Sequence, residues 1–305
     1  MRRFPAAVAA LGLVAVALVG CSSAQSATCD RTTQPGALEN LISVDGDVGD
    51  APEVSVPTPF ETTKLAYTDV VTGDGTEVVA QNQVLDLGIT LINGETGAQF
   101  LQQGYTPETS GATTLALWEQ ALPGLSAALM CASEGSRVVA AFAPDDLTTG
   151  AELVQIGAPV VAVVDLRQVF LSAADGAEQF NQGNGLPTVV RAPGGQPGVI
   201  VPDGEAPTDV VVQVVKKGDG ATLADGDAIA AQELIVGWDD KNLVSTTWED
   251  QPTGLTVTAG DDPVLDALVG QTVGSQIMVV VPASDAGGAQ VQVVDILGIV
   301  APAAG

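Results

Sequence analysis

PEVSVP, at residues 52–57, recurs as PGVIVP at residues 197–202, an offset of 145 positions. The same offset carries GDG at residues 73–75 onto GDG at residues 218–220. Further along, VVDL at residues 163–166 is echoed by VVDI at 293–296, so the offset has shrunk to 130 and the second copy has lost loop residues. A chain of 305 residues exceeds one typical core, and the repeat predicts two domains of the same fold.

Within each copy, short runs of β-branched residues alternate with Gly, Asp and Pro turns, as at residues 84–91 and 160–169. Between the strands we predict one helix over residues 118–133, because its leucines recur at the spacing of one helix face. The predicted fold class is therefore α+β, with each domain an antiparallel sheet wrapped on one short helix.

The first twenty residues have the features of an export signal. Arg2 and Arg3 precede an uncharged apolar run, residues 6–18, that is too short to span a bilayer comfortably. The run ends in LVGC at residues 18–21, which resembles the lipobox of bacterial lipoproteins, where the cysteine is lipidated and becomes the first residue. We expect lipidation at Cys21 and localisation at the extracytoplasmic face of the cell membrane, through this anchor only. An ordinary signal peptide with an incidental cysteine is the alternative.

Composition excludes several partners and chemistries. Removing residues 1–20 leaves 8 Lys and Arg against 37 Asp and Glu, a net charge of −29 that repels nucleic acid and anionic headgroups. The absence of histidine removes the usual general base, the common nucleophile systems and the commonest zinc ligand. Adjacent carboxylates such as Asp145 and Asp146 are typical of turns. We therefore expect no metal and no cofactor.

Three cysteines occur in the chain. If Cys21 is lipidated, Cys29 and Cys131 remain as an even pair in an oxidising compartment, which favours a disulfide. The bond would close a loop of about one hundred residues, worth on the order of 4–5 kcal/mol in the chain-entropy model. Two unpaired buried thiols are the alternative.

Taken in order, these motifs resemble the FKBP-type peptidyl-prolyl isomerases, most closely their tandem, lipid-anchored actinobacterial members. The first copy has NGETGAQF at residues 93–100, at the family's turn before its Phe-Asp pair, and ALPGL at 121–125, at its Val-Ile-Pro-Gly-Trp helix start. The second copy has VSTTW at 244–248, where the family has Phe-Asp-Ser-Ser-Trp, and ALVGQTVGS at 267–275. The resemblance covers nearly the whole chain after residue 20.

The activity that this resemblance implies suits a chain without histidine. Prolyl isomerisation rotates one bond against a barrier of roughly 18–20 kcal/mol and transfers no proton. An apolar pocket that binds the twisted amide better than the planar one is sufficient. The resemblance places Phe100, Leu122 and Leu125 in that pocket, and the alternative is that all three are core residues.

Departures from the family pattern fall on the pocket. Leu125 replaces the floor tryptophan, and Leu87 in the first copy and Glu233 in the second replace the first-strand tyrosine. In the second copy Val244 and Ser245 replace the Phe-Asp pair, the helix is shortened and the flap near residues 282–291 is nearly deleted. We therefore expect a shallow cleft lined by Phe100, Leu122 and Leu125, and weak activity in the first copy.

These observations divide the chain into a signal peptide (1–20), a lipidated extension (21–45), a first FKBP-like domain (46–171), a linker (172–192) and a second, shortened FKBP-like domain (193–301). The predicted function is an extracytoplasmic peptidyl-prolyl isomerase and folding helper that acts, as a monomer, on proline-containing exported polypeptides. The alternative is a non-catalytic peptide-binding or scaffold lipoprotein that retains the fold.

Overall fold

The structure is a computed structural model that describes residues 29, 31, 38–106, 111–147, 157–180, 183, 185–249, 251–260, 262–285 and 287–300. The predicted signal peptide, residues 1–20, and the predicted lipidation site Cys21 lie outside these residues. Within the described ranges, no helix has the length and apolar character needed to cross a bilayer.

Residues 43–171, the first unit, form a hairpin followed by a sheet and two short helices. The hairpin pairs β1 (Ser43–Asp45) with β2 (Glu53–Ser55). The sheet consists of β3 (Ala66–Val71), β4 (Val84–Asn93), β5 (Gln99–Gln103), β6 (Ala112–Thr114), β7 (Arg137–Phe142) and β8 (Val160–Val169). Its strands pair antiparallel in the order β3-β7-β8-β4-β5, with β6 also on β4. The helices are α1 (Leu115–Ala121) and α2 (Leu125–Leu129), and a 3-10 turn, Pro144–Asp146, follows β7.

Residues 172–300, the second unit, repeat this arrangement. Their elements are β9 (Ala177–Glu178), β10 (Thr188–Arg191), β11 (Pro197–Ile200), β12 (Val211–Lys217), β13 (Ala228–Gly237), β14 (Leu243–Thr246), β15 (Thr253–Thr256), α3 (Pro263–Leu268), β16 (Gln276–Val281) and β17 (Gln290–Ile299). Strands β10 and β11 form a hairpin. The sheet order is β14-β13-β17-β16-β12-β9, with β15 on β13. The strand order of the first sheet therefore recurs in the second, with β9 added at one edge.

The repeat seen in the sequence is present in the structure. The offset of 145 carries β1 onto β10 and β3 onto β12, and the offset of 130 carries β8 onto β17. The recurring GDG segments have a steric cause. A Cβ on Gly73 would lie 2.0 Å from the Glu134 carbonyl oxygen, and one on Gly218 would lie 2.1 Å from that of Val273. Only glycine allows these close approaches.

The central strands of both sheets are apolar on both faces because both faces are covered. In the first unit one face packs against α1 and α2, and the other packs against Leu38, Ile42, Phe60 and the hairpin β1–β2. In the second unit α3 covers one face and the hairpin β10–β11 the other. Strands buried on two faces are typically continuous apolar runs rather than alternating patterns.

The single helix predicted over residues 118–133 is instead two helices. Helix α1 begins at Leu115, and the chain breaks before α2 at residues 122–124. Pro123 has no amide hydrogen to donate, and Gly124 has φ of +89°, a left-handed conformation that favours glycine. In the second unit, by contrast, one short helix is present, and Asp262 caps it by accepting from the amides of Val264 and Leu265.

The segment predicted as a linker, residues 172–192, contributes to the second unit. Its strand β9 pairs with β12, and β10 forms half of a hairpin. The two units also contact each other. Val84 and Phe170 pack against Ala230 and Leu297, and the Leu171 amide donates to the Leu297 carbonyl at 3.1 Å.

Candidate functional site

The three side chains predicted to form an apolar pocket lie in or against one core cluster. Leu122 and Leu125 are 1% and 0% exposed, and Phe100 is half-buried against the same cluster. Leu122 and Leu125 therefore do not line an open cleft, contrary to expectation, because core side chains of the sheet and helices enclose them.

A different cleft lies beside this cluster, and we name it the α1 cleft. It has a volume of about 280 Å³, and its walls come from β4, β5, β6 and α1. The lining residues are Leu87, Gln103, Gly111, Thr113, Leu117, Trp118 and Ala121. The cleft borders the core cluster, because Leu87 and Trp118 belong to both and Ala121 directly precedes Leu122.

The α1 cleft offers mainly apolar contacts together with a few hydrogen-bonding groups. Among the described residues that line it, none has a titratable side chain. Leu87, Leu117 and Trp118 offer apolar contact, while the Gln103 amide and the Thr113 hydroxyl are hydrogen-bonding groups. A mainly apolar cleft with a few polar groups is the usual composition of a small ligand site.

Two ionisable groups lie near the cleft on or against β4. Burial raises the pKa of Asp86, and the Arg167 guanidinium 4.0 Å away and a hydrogen bond to the Gly111 backbone only partly offset this. Burial, with the nearby Asp165 charge, raises the pKa of Tyr105 above its ordinary value, so its phenol is neutral at physiological pH. Its ring occupies the place where a side chain on Gly88 would lie.

Sheet register decides which residues of the two units are equivalent. Leu101 pairs with Leu91 beside a bulge, and Ser245 pairs with Ile235 beside the corresponding bulge. The predicted match of Phe100 to Val244 is thereby confirmed. The match of Leu87 to Glu233 is wrong: Leu87 pairs with Leu166 and Ala231 with Ile296, so Leu87 corresponds to Ala231.

Sequence reasoning missed most of the cleft's lining. Leu117, 45% exposed, precedes the predicted start of the helix, and its place on the first turns of α1 puts it in the cleft wall. Trp118 is 8% exposed and both packs in the core cluster and lines the cleft. Gly111 has no side chain from which a role in the cleft could be predicted. An added Cβ there would meet nothing within 4 Å, which is why the cleft is open at that point.

A second feature ties the N-terminal segment to the first unit. Cys29 and Cys131 form a disulfide with 5.2 Å between their Cα atoms and 102 positions between them in sequence. Arg31 adds a bidentate pair with Asp69 at 2.6 and 2.7 Å and donates to the carbonyls of Ala128 and Met130 at 2.7 Å each. The guanidinium also lies 5.0 Å from the centre of the Tyr67 ring. Arg31 therefore satisfies carbonyls at the end of α2 that the helix itself leaves unpaired.

No protein-family model matches this chain, and no curated protein matches it. Several solved structures, however, match this chain. The three FKBP domains of wheat FKBP73 are 13% identical, with 77% of this chain and 94% of that chain covered and a TM-score of 0.32. FkpA from Escherichia coli is 20% identical, with 34% and 47% covered and a TM-score of 0.30. A peptidyl-prolyl cis-trans isomerase from Pseudomonas syringae is 17% identical, with 34% and 74% covered and a TM-score of 0.28.

The structure neighbours are FKBP-type peptidyl-prolyl isomerases. They include multi-domain proteins, and those named above are 13–20% identical to this chain.

Proposed function

We propose that this chain is an exported, lipid-anchored peptidyl-prolyl isomerase of FKBP type, which binds X-Pro segments of exported polypeptides in the α1 cleft. The observation that carries the proposal is the place of the cleft. It opens beside Ala121, at the start of the ALPGL segment that resembles the family's helix start, and next to Leu87 on β4.

The lining of the cleft suits the reaction. As the X-Pro bond twists, amide resonance is lost and the group becomes less polar, so apolar walls at Leu87, Leu117 and Trp118 favour the twisted form. The Gln103 amide and the Thr113 hydroxyl line the cleft and can hydrogen-bond a peptide backbone. No titratable group and no cofactor is needed, because no proton moves.

Turnover is weak in this proposal. Leu122 and Leu125 are enclosed in the core, so the cleft has no floor from them, and the aromatic contacts of the family pattern are missing at Leu87 and Leu125. Each tenfold loss of rate corresponds to about 1.4 kcal/mol of lost transition-state stabilisation. A few absent contacts therefore reduce the rate by several orders of magnitude.

A matched pair of glycine variants of the full chain tests the site. A side chain added at Gly111 enters open space at the α1 cleft, whereas Gly194, in the turn between β10 and β11, is equally open and lies away from it. We expect the wild type and Gly194→Phe to accelerate exchange of an apolar X-Pro tetrapeptide, and Gly111→Phe to lose at least tenfold of that acceleration. Exchange spectroscopy measures the rate. Equal rates for the two variants would place the activity elsewhere.

One observation favours a second candidate, a peptide-binding or scaffold lipoprotein without turnover. The fully buried Leu122 and Leu125 leave the cleft shallower than a pocket that surrounds a proline ring. The same tetrapeptide distinguishes the candidates. Binding to the wild type that is weakened in Gly111→Phe, with no exchange enhancement in any variant, would identify a binding protein.

A further inference from the structure

A second cleft continues from the α1 cleft into the contact between the two units. This inter-unit cleft has a volume of about 220 Å³ and shares Thr113 and Leu117 with the α1 cleft. Its opposite wall is the segment Gln251, Pro252, Thr253 and Gly254 of the second unit. The two clefts therefore adjoin each other at the start of α1 and strand β6, and together we call them the groove.

Two equivalent strands flank the inter-unit cleft. In each unit the strand before the helix pairs with the long second strand of its sheet, β6 with β4 and β15 with β13. Within the described residues, each of these short strands has a strand partner on one side only. An extended polypeptide placed between them would meet backbone groups of an exposed strand edge, a common mode of peptide recognition.

The joined groove matches an extended peptide in size and polarity better than either cleft does alone. Each cleft is smaller than the roughly 300–1,000 Å³ typical of ligand sites, and the joined groove falls within that range. Leu117, at the junction, is 45% exposed and offers apolar contact to a ligand in either cleft. The net charge of −29 without residues 1–20 disfavours acidic ligands and favours neutral or basic ones.

We propose that a neutral or basic, extended, proline-containing polypeptide segment binds along the whole groove, with its X-Pro bond in the α1 cleft and its flanking residues in the inter-unit cleft. This inference rests on the proposed function and adds a role for the second unit. In this proposal the X-Pro bond reacts in the first unit. The β15 segment of the second unit selects substrates by length, the negative net charge of the chain disfavours acidic ones, and Leu117, Pro252 and Gly254 are specificity-determining residues.

The test compares two probes on the full chain: a neutral tetrapeptide with one X-Pro bond, and a twelve-residue peptide with the same bond and basic flanks. A Cβ at Gly254 would meet nothing within 4 Å, so Gly254→Phe adds bulk to the inter-unit cleft without displacing the fold. We expect the wild type to bind the long peptide about tenfold more tightly than the short one. Gly254→Phe should remove that preference, so that the two peptides bind with equal affinity, and Gly194→Phe should keep the wild-type preference.

The outcomes separate this inference from the proposed function. If Gly111→Phe weakens both peptides but Gly254→Phe keeps the length preference, the proposed function stands and the groove is overturned. If the wild type binds neither peptide, the proposed function fails with it. A long peptide with acidic flanks should lose the tenfold gain, and an equal affinity for it would contradict the charge selection. If analytical ultracentrifugation instead shows the wild type as a dimer and Gly254→Phe as a monomer, this face is a self-association surface and the proposal is wrong.

Discussion

At the residue scale, two equivalent buried aspartates have different partners. Asp165 on β8 receives two hydrogen bonds from the Arg137 guanidinium, at 2.6 and 2.7 Å, and one from the Gly49 amide at 2.8 Å. Asp295 on β17 receives bonds from the Gln276 side chain at 2.6 Å and the Ala174 amide at 2.8 Å. Each aspartate thus fastens the segment that precedes its sheet, but only Asp165 has a direct counter-charge.

The missing counter-charge makes Asp295 a source of pH-dependent stability. Burial raises the pKa of Asp295 from 3.8 to about 6, despite its two hydrogen bonds. Because the folded state binds this proton more tightly than the unfolded state, its contribution is fully present below about pH 4 and is lost as the pH rises through about 6. The difference amounts to about 3 kcal/mol.

We therefore expect the unfolding free energy of Asp295→Asn minus that of the wild type to increase by about 3 kcal/mol from pH 4 to pH 7. Chemical denaturation of both proteins measures this difference. Asn keeps one acceptor and cannot ionise, so the variant does not lose this contribution at neutral pH. Asp209→Asn, at an exposed position, serves as the control and should follow the wild-type curve. A pH-independent difference between Asp295→Asn and the wild type would contradict the burial argument.

At the element scale, the break between α1 and α2 is held by a side chain. The Glu119 carboxylate on α1 accepts hydrogen bonds from the amides of Gly124 at 2.7 Å and Ser126 at 3.0 Å. These amides lie at the start of α2, where a helix has no internal acceptors for them. Burial acts to raise the pKa of Glu119, but the bonds from Gly124 and Ser126 outweigh it and hold the pKa below its usual value.

Removing this cap should destabilise the first unit. We expect Glu119→Ala to lower the unfolding free energy by about 1 kcal/mol, the usual loss for a helix cap. Because the folded pKa is depressed, the contribution is present above about pH 4.5 and is lost as the pH falls through the lower folded value, so the wild type and variant should converge in acid. Thermal unfolding between pH 3 and pH 7 measures this, with the exposed Glu205→Ala as a control. A deficit that persisted at pH 3 would rule out the capping role.

At the scale of the whole molecule, the N-terminal segment determines how the protein is held at the membrane in our proposal. The disulfide at Cys29 and the contacts of Arg31 attach that segment to the end of α2. Only eight positions separate Cys21 from Cys29, which span at most about 29 Å even when fully extended. A lipid on Cys21 would therefore keep the α2 end of the first unit close to the bilayer.

Cell fractionation of a Cys21→Ala variant tests the anchor. We expect the lipidated mature form to disappear and the protein to be shed or retained as precursor, because one cysteine carries all of the membrane affinity. A Cys29→Ala, Cys131→Ala double variant should remain in the membrane fraction, since it lacks the disulfide but keeps Cys21. Mass spectrometry of the mature N-terminus reports the modification. A membrane-held mature Cys21→Ala protein would refute the lipid anchor.

Local patterns in the sequence were sufficient to predict the repeat, the antiparallel strands and the pairing candidates among the cysteines. The recurring GDG segments mark close approaches to distant parts of the chain, of Gly73 to Glu134 and of Gly218 to Val273. The recurring VVD segments carry Asp165 and Asp295, which accept hydrogen bonds from the amides of Gly49 and Ala174. The helical region was predicted between the correct strands, but its bounds were wrong. The leucine spacing is continuous in sequence, whereas Pro123 and Gly124 divide the region into two helices.

Short-range patterns thus predict two copies of one sheet-and-helix arrangement, because hydrophobic periodicity and turn residues act over a few neighbours. The positions of the clefts follow instead from long-range packing. Leu122 and Leu125 are enclosed while Leu117 and Gly111 are open, and the α1 cleft continues towards Gly254 of the other unit. Exposure of an apolar residue depends on which distant strands pack over it, and that is a property of the assembled sheets rather than of any local stretch.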